Sequence, residues 1–242
     1  MGNSCEVRAN SIDAIHYKIL KLIKDFPVGT VLDFPSGHGR LSHWLSQRGY
    51  KVTSCDIAVD DYRDSPVQHV YADLNKEFPF EDDKFDYCFC VDGPEHAENL
   101  YHSFREFHRV LKPNGIFVVS IPNLANIECR VKYLWYGVLE PVTTGEQFRD
   151  SKYGPGVFHI NRPSYAMLRM ALEAANFQVV DITYDTEKKQ QRWYLPLYYL
   201  IRLITKLKGE KGDKKYWLKE SNSKNVLLGG NTLIVVCRKH TS

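Results

Sequence analysis

Hydrophobic and polar residues follow two alternating patterns along this chain. Apolar residues recur every three or four positions over residues 11–24, which predicts an amphipathic helix. From residue 30 onwards, short apolar runs bounded by turn residues alternate with further segments of helical spacing. These runs predict strands at residues 30–34, 51–56, 68–71, 85–91, 116–121, 177–184 and 231–238. Strands that alternate with helices predict an α/β fold, with a parallel sheet covered on both faces.

The second half of the chain is less regular than the first. Helical spacing predicts helices over residues 124–136, 163–175 and 195–207, and the last of these is apolar over more than one face. Residues 137–161 are predicted to form an irregular insertion. Residues 208–224 are polar and rich in lysine, so we expect a loop there.

The composition is that of an ordinary globular protein. Of 242 residues, 43% are hydrophobic and 25% are charged, and the net charge of +3 is too small to indicate a nucleic-acid partner. The six cysteines contain no C-x-x-C pair, so we expect reduced thiols and neither a zinc ribbon nor a disulfide framework. Because no apolar stretch reaches the ~20 residues that cross a bilayer, we expect the protein in the cytoplasm or bound to a membrane face.

The first predicted strand leads into a glycine turn. It ends in Asp33, the turn passes through Gly37 and Gly39, and a helix follows. A dinucleotide site would need a third glycine, but Ser42 stands there, and Asp33 would place a negative charge where the phosphates should lie. A carboxylate at this point instead suits a ligand with a cationic end, such as the ammonium group of a methionine moiety.

Two further acids follow the next two strands. Asp56 ends the second predicted strand, where a carboxylate can accept hydrogen bonds from a ribose diol, and Asp73 follows the third strand, within reach of an adenine amino group. Each acid alone is typical of a solvated loop. Three acids at the carboxyl ends of consecutive strands together indicate a ligand crevice.

These motifs resemble the class I S-adenosylmethionine-dependent methyltransferases. The likeness covers roughly residues 11–123 and includes Phe85-Asp86-Tyr87 and the turn Leu111-Lys112-Pro113-Asn114-Gly115, although family members commonly have glycine where this chain has Pro35. The resemblance implies a Rossmann-like methyltransferase fold with seven strands, the last one antiparallel. It also implies S-adenosylmethionine as cofactor and S-adenosylhomocysteine as product. The cofactor-binding residues that it implies are Asp33, Pro35, Gly37, Gly39, Asp56, Ile57, Asp73, Leu74 and Val91.

The loop after the fourth strand carries the candidate catalytic groups. His96 is placed to remove a proton from an acceptor hydroxyl, with Glu95 beside it; the alternative is that His96 orients the following helix. The acid-x-x-Glu-His spacing from Asp92 is also similar to ubiquinone-biosynthesis O-methyltransferases and to terminal ribose methyltransferases of small RNAs. In those families such groups hold a divalent metal, and here His159 would complete the set. The short Asp92 side chain disfavours this metal hypothesis.

The sequence therefore predicts a methyltransferase in one domain, residues 1–242. Residues 11–123 would form the cofactor-binding core, 124–176 the acceptor-recognition part, and 177–242 the C-terminal strands with the apolar helix 195–207. We expect O-methylation of a small-molecule, lipid-linked or glycan acceptor; N-methylation and a catalytically silent cofactor-binding scaffold are the alternatives. The apolar helix is interpreted as packed on the sheet or in a homodimer, or else as a peripheral membrane contact. Acceptor recognition is expected in or near the insertion. The residues there are Arg130, Arg149, Arg162, Tyr133 and Trp135, although each of them alone is typical of a structural or solvated position.

Overall fold

The computed structural model describes residues 11–58, 67–139, 144–149 and 158–240. Seven strands form its sheet, in the order β3-β2-β1-β4-β5-β7-β6. The strands are β1 (Thr30–Asp33), β2 (Lys51–Asp56), β3 (Gln68–Tyr71), β4 (Phe85–Cys90), β5 (Leu111–Pro122), β6 (Phe177–Tyr184) and β7 (Thr232–Lys239). The first five are parallel to one another, whereas β7 runs antiparallel to both β5 and β6. The predicted fold class is confirmed.

Helices and 3₁₀ turns connect these strands. The helices are α1 (Ser11–Leu22), α2 (Arg40–Gln47), α3 (Leu100–Val110), α4 (Ile127–Tyr136), α5 (Gly145–Arg149), α6 (Tyr165–Ala174), α7 (Leu195–Tyr216), α8 (Leu218–Ser221) and α9 (Lys224–Leu227). Among the described residues, 3₁₀ helices lie at Pro94–His96 and Lys189–Tyr194. No helix in the described ranges has both the length and the apolarity that a membrane crossing requires.

Two hydrophobic cores cover the two faces of the sheet. Side chains alternate between faces along a strand, so Phe117 belongs to one core and its neighbour Val118 to the other. The first core includes Phe104 and Phe107 of α3, and the second includes Leu41 of α2. This two-sided burial explains why an inner strand such as β7 is a nearly continuous apolar run.

The lysine-rich segment after residue 207 is largely helical, so the predicted loop at 208–224 is wrong. α7 continues to Tyr216 with a kink at Gly209, and α8 and α9 follow. Lysine is a good helix former on an exposed surface, and polar sequence alone therefore does not distinguish a loop from a solvated helix. The predicted start of α4 is also three residues early, because the Asn126 side chain accepts the Cys129 N–H bond at 2.8 Å and caps the helix there.

Candidate active site

The carboxyl ends of β1 and β4 meet at the point where the strand order reverses. From β1 the chain adds β2 and β3 on one side and then returns to place β4 on the other. Parallel α/β sheets bind ligands in the crevice that opens at such a reversal. Asp33 and Asp56 end β1 and β2 at this edge, and Asp73 follows β3 two residues after its end.

The glycine turn after β1 is held to the end of β2. Gly37 has a φ of 51°, a left-handed conformation that favours glycine. Its backbone N–H donates to Asp56 Oδ2 at 2.8 Å, and the Ala58 N–H donates to Asp56 Oδ1 at 3.0 Å. Gly39 does not line the crevice; it is the N-cap residue of α2, also with a positive φ, of 79°. The turn and the Asp56 carboxylate are therefore one hydrogen-bonded unit.

Asp33 is almost fully buried at the base of the crevice. Its exposed fraction is 1%, and its Oδ2 accepts the Ser42 hydroxyl at 2.6 Å. Burial raises the pKa of the carboxyl to about 7, although the hydrogen bond from Ser42 works in the opposite direction. In the sequence, Ser42 stands out only as the residue in place of a third glycine, and nothing there indicates its bond to Asp33.

Two adjoining clefts occupy the crevice, and both are bordered by Pro35 and Asp56. The first, of about 400 Å³, is also lined by Asp33 at the end of β1, Gly37 of the turn and Val91 just after β4. The second, of about 260 Å³, is lined by Ile57, Asp73 and Leu74, together with His96. The structure therefore brings together every residue predicted to contact the cofactor except Gly39.

Asp73 is braced by its neighbours in the second cleft. Its Oδ1 accepts the backbone N–H of Asn75 at 2.9 Å and the Asn75 side-chain amide at 3.2 Å. The Asn75 side-chain oxygen Oδ1 in turn accepts the backbone N–H of Glu98, just beyond the candidate catalytic loop. Asn75 thus links the second cleft to that loop, a role for which its sequence context gave no signal.

A third cleft, of about 360 Å³, lies on the other side of Asp92. Asp92 borders both the first and the third cleft, so the two adjoin. The third cleft is also lined by Glu95, Asn123 and His159, with Lys132 of α4 at its edge. A molecule placed here would lie next to whatever occupies the first cleft.

Glu95, His96 and His159 form a compact cluster between the clefts. One ligand atom from each lies within 4.8 Å of the others, and the two imidazole rings meet edge to face with centroids 5.2 Å apart. Asn161 holds His159 near the Pro94–His96 turn, because its backbone N–H donates to the Glu95 carbonyl and its side chain to the Ala97 carbonyl. Residues about sixty positions apart are joined in this way.

The orientation of His96 defines its neutral tautomer. His96 Nδ1 lies 3.1 Å from the Phe158 carbonyl oxygen, which can only accept, so Nδ1 carries the proton. In the neutral ring Nε2 is then the nitrogen with the lone pair. The same tautomer suits a general base and a metal ligand.

Asp92 stands apart from this cluster. Its carboxylate accepts the Ser120 hydroxyl at 2.8 Å, and its backbone N–H donates to the same hydroxyl. Burial raises its pKa, and the nearby charge of Asp185 adds to this effect. The structure therefore brings together three of the four residues in the metal hypothesis and pairs the fourth with Ser120.

Arg130 does not face the third cleft as an acceptor-binding group. Its guanidinium donates to the Ala125 carbonyl, to the Asn222 side chain and to the Ser221 carbonyl, so it joins α4 to α8. Burial lowers its pKa. Of the two alternatives for Arg130, the structure shows the structural one, while Tyr133 and Trp135 lie exposed on α4.

Comparison with known proteins relates part of this chain to methyltransferases. Residues 32–119 match the family described as methyltransferase domain. The malonyl-[acyl-carrier protein] O-methyltransferase of Hamiltonella defensa is 26% identical over 124 residues, 49% of this chain and 48% of the relative. The ubiquinone biosynthesis O-methyltransferase of Rickettsia typhi is 27% identical over 119 residues, 46% of this chain and 48% of that protein.

Other similar proteins differ in chemistry or extend the likeness to the whole fold. The sterol 24-C-methyltransferase of Schizosaccharomyces pombe is 27% identical over 158 residues, 63% of this chain and 38% of that protein. The chain thus matches half or less of each of these relatives. The crystal structure of a SAM-dependent methyltransferase from Archaeoglobus fulgidus shares the fold, with a TM-score of 0.62, 16% identity and 96% of each chain covered. Residues 32–119 therefore match a methyltransferase domain, and the chain shares its fold with a SAM-dependent methyltransferase of known structure.

Proposed function

We propose that the chain transfers the methyl group of S-adenosylmethionine to an oxygen of a small-molecule, lipid-linked or glycan acceptor. The observation that carries the proposal is the contact between a cofactor-sized crevice and the His96 cluster. The first two clefts share Pro35 and Asp56 and would take the two ends of the cofactor. The third cleft, reached past Asp92, would take the acceptor.

His96 would supply the base for this reaction. With Nδ1–H held by the Phe158 carbonyl, Nε2 would take the proton of the acceptor hydroxyl as its oxygen attacks the methyl carbon. The new carbon–oxygen bond forms as the sulfur–carbon bond breaks, and S-adenosylhomocysteine leaves. Two relatives are O-methyltransferases, which supports oxygen as the acceptor atom, whereas the sterol enzyme is a C-methyltransferase.

An acceptor panel tests the proposal directly. The chain would be incubated with methyl-deuterated cofactor and alcohols, phenols, carboxylic acids, amines and sterols, and the products analysed by mass spectrometry. We expect label on a hydroxyl or carboxyl oxygen. Label on nitrogen or carbon would contradict O-methylation, and tight cofactor binding without label on any acceptor would favour the scaffold alternative.

Cofactor affinity should rise with pH between about 5.5 and 7.5. The free site holds Asp33 largely protonated below its pKa of about 7, whereas a ligand ammonium group would pair with the carboxylate. Binding therefore releases a proton, and affinity increases up to about tenfold per pH unit below that pKa. Calorimetry with S-adenosylhomocysteine in two buffers of different ionisation enthalpy measures this release near pH 6. In Asp33→Asn the dependence should flatten; a wild-type affinity that falls with rising pH would contradict this assignment.

A metal at Glu95, His96 and His159 is the second candidate for activating the acceptor. One carboxylate and two imidazoles are a donor set that fits a divalent cation. A metal held there would polarise the acceptor oxygen and lower the pKa of its hydroxyl. We favour the base, because Asp92 is paired with Ser120 instead of joining the set.

Chelation separates the two candidates. We expect EDTA to leave turnover unchanged and Glu95→Gln to cost little, since a base at His96 needs neither. Metal content of the purified chain would be measured alongside turnover. Activity that EDTA abolishes and Mg²⁺, Mn²⁺ or Zn²⁺ restores would replace the base with the metal, with similar, non-additive losses for all three cluster residues.

A further inference from the structure

The outer face of α7 is apolar and uncovered by the described residues. It consists of Tyr199, Leu200, Leu203, Ile204 and Leu207, which follow helical spacing and therefore share one side of the helix. Their exposed fractions range from 46% at Ile204 to 78% at Leu207. Large contiguous apolar surfaces of this kind mark interaction sites.

The opposite side of α7 is fixed to the rest of the fold. Thr205 is buried and accepts the side-chain amide of Asn222 at 2.8 Å. Arg202 donates to the Asn222 carbonyl at 3.2 Å, and further along the helix Gly212 is buried against Leu218. Because its inner side is already packed, the helix cannot bury its outer face by rotating.

Basic side chains accompany the apolar outer face. Within Leu195–Tyr216, six Lys or Arg residues against two acidic ones give a net charge of +4. One of the two acids, Asp213, already pairs with Lys219 at 3.2 Å. The basic residues, all exposed, are Lys206, Lys208, Lys211, Lys214 and Lys215, together with Arg202, whose guanidinium bonds to Asn222 on the inner side.

Aromatic side chains extend the surface beyond α7. Trp135 and Tyr136 at the end of α4 are each 74% exposed, and Trp193, just before α7, is 87% exposed. The Lys189–Tyr194 turn packs against both α4 and α7, so the three elements that carry these exposed side chains are neighbours. Tryptophan and tyrosine beside leucine and lysine are typical of helices that lie in the headgroup region of a bilayer.

We propose that the outer face of α7, with the exposed ends of α4 and the Lys189–Tyr194 turn, docks on an anionic lipid surface. The charge of this surface complements phospholipid headgroups, and its leucines and aromatics can enter the acyl boundary. A second copy of the chain fits less well, because a two-fold interface would place the same basic patch against itself.

This surface lies beside the third cleft. The docking inference rests on the proposed function and extends it to the class of acceptor. Lys132, one turn before the exposed end of α4, lines that cleft, as does Lys188 just before the Lys189–Tyr194 turn. A chain docked through α4 and α7 would have its acceptor cleft at the membrane border. The acceptor class that follows is a lipid-linked molecule.

Vesicle co-sedimentation tests the docking surface. The full chain would be mixed with vesicles of phosphatidylcholine alone or with added phosphatidylglycerol, at low and high salt. We expect binding to the anionic vesicles that weakens with salt. The double variant Leu203→Glu, Leu207→Glu should lose at least about tenfold in affinity, since two anchors are lost and two negative charges added.

A matched control places the same charges elsewhere. Val28 and Val180 are 61% and 54% exposed and lie outside α4 and α7, so Val28→Glu, Val180→Glu should bind vesicles as the wild type does. Wild-type chain that binds neither vesicle, or an α7 variant that binds like wild type, would overturn the proposal. So would a lipid-free dimer that Leu203→Glu, Leu207→Glu dissociates.

Calorimetry with S-adenosylhomocysteine distinguishes failure of this inference from failure of the proposed function. Both double variants should keep the wild-type cofactor affinity. Vesicle binding without cofactor binding would refute the methyltransferase proposal and leave the docking surface in place, whereas the reverse result would refute the docking surface alone.

Discussion

Replacing His96 with alanine should lower the rate of methyl transfer by about 10²- to 10⁴-fold, the usual contribution of a positioned general base. The neutral ring presents Nε2 because Nδ1–H is held by the Phe158 carbonyl at 3.1 Å. Turnover with an acceptor from the panel would be measured across pH. The limb of the wild-type profile that reports the base should be absent from the variant.

Two controls separate chemistry from structure at His96. His96 also lines the second cleft, so S-adenosylhomocysteine affinity and melting temperature must be measured for the same variant, and we expect both to change little. His240→Ala, at an exposed histidine after β7, should behave as wild type. If His96→Ala keeps wild-type turnover, or loses cofactor binding and stability in proportion to activity, then His96 only orients its turn.

The cofactor crevice could be predicted from sequence because it depends on local signals. A strand that ends in an acid and enters a glycine turn is visible within ten residues, and the carboxyl ends of parallel strands necessarily meet at one edge. Asp33, Asp56 and Asp73 accordingly lie around the two adjoining clefts. Their roles toward the cofactor stay predictions until binding is measured.

The partners of those residues could not be predicted in the same way. Ser42 donates to Asp33 because the first turn of α2 packs over the end of β1, a three-dimensional fact that no spacing rule contains. His159 reaches His96 through the Asn161 hydrogen bonds to the Glu95 and Ala97 carbonyls. In the sequence, His159 was indicated only by the resemblance to methyltransferase families that hold a divalent metal.

The prediction of a loop after residue 207 was wrong for a different reason. A lysine-rich sequence is compatible with both a loop and an exposed helix. Tertiary contacts, such as the bond from the Lys219 N–H to Asp213, stabilise the helical structure. Local sequence carries little information about such contacts. The exposed face of α7 was likewise visible as an apolar pattern, but its exposure could be established only in the fold.

Substituting Asp56 with alanine should weaken S-adenosylhomocysteine binding by about 1.5–3 kcal/mol, roughly 10- to 150-fold, if a charged hydrogen bond to the ribose diol is lost. Each carboxylate oxygen already accepts one backbone N–H, from Gly37 and from Ala58. Because a carboxylate oxygen has two acceptor positions, both can accept a ribose hydroxyl as well. Calorimetry on the folded variant measures the loss.

The difficulty is that Asp56→Ala also removes the acceptor that holds the Gly37 turn, so lower affinity alone does not assign the ribose contact. A double-mutant cycle between Asp56→Ala and a 2′-deoxy analogue of S-adenosylhomocysteine isolates the pairwise interaction. We expect wild type to discriminate against the analogue and the variant to bind both ligands equally. Asp56→Asn keeps an acceptor for one N–H but lacks the charge, so it should fall between them. Undiminished discrimination in Asp56→Ala would make Asp56 a brace for the glycine turn and would move ribose recognition to another residue of the crevice.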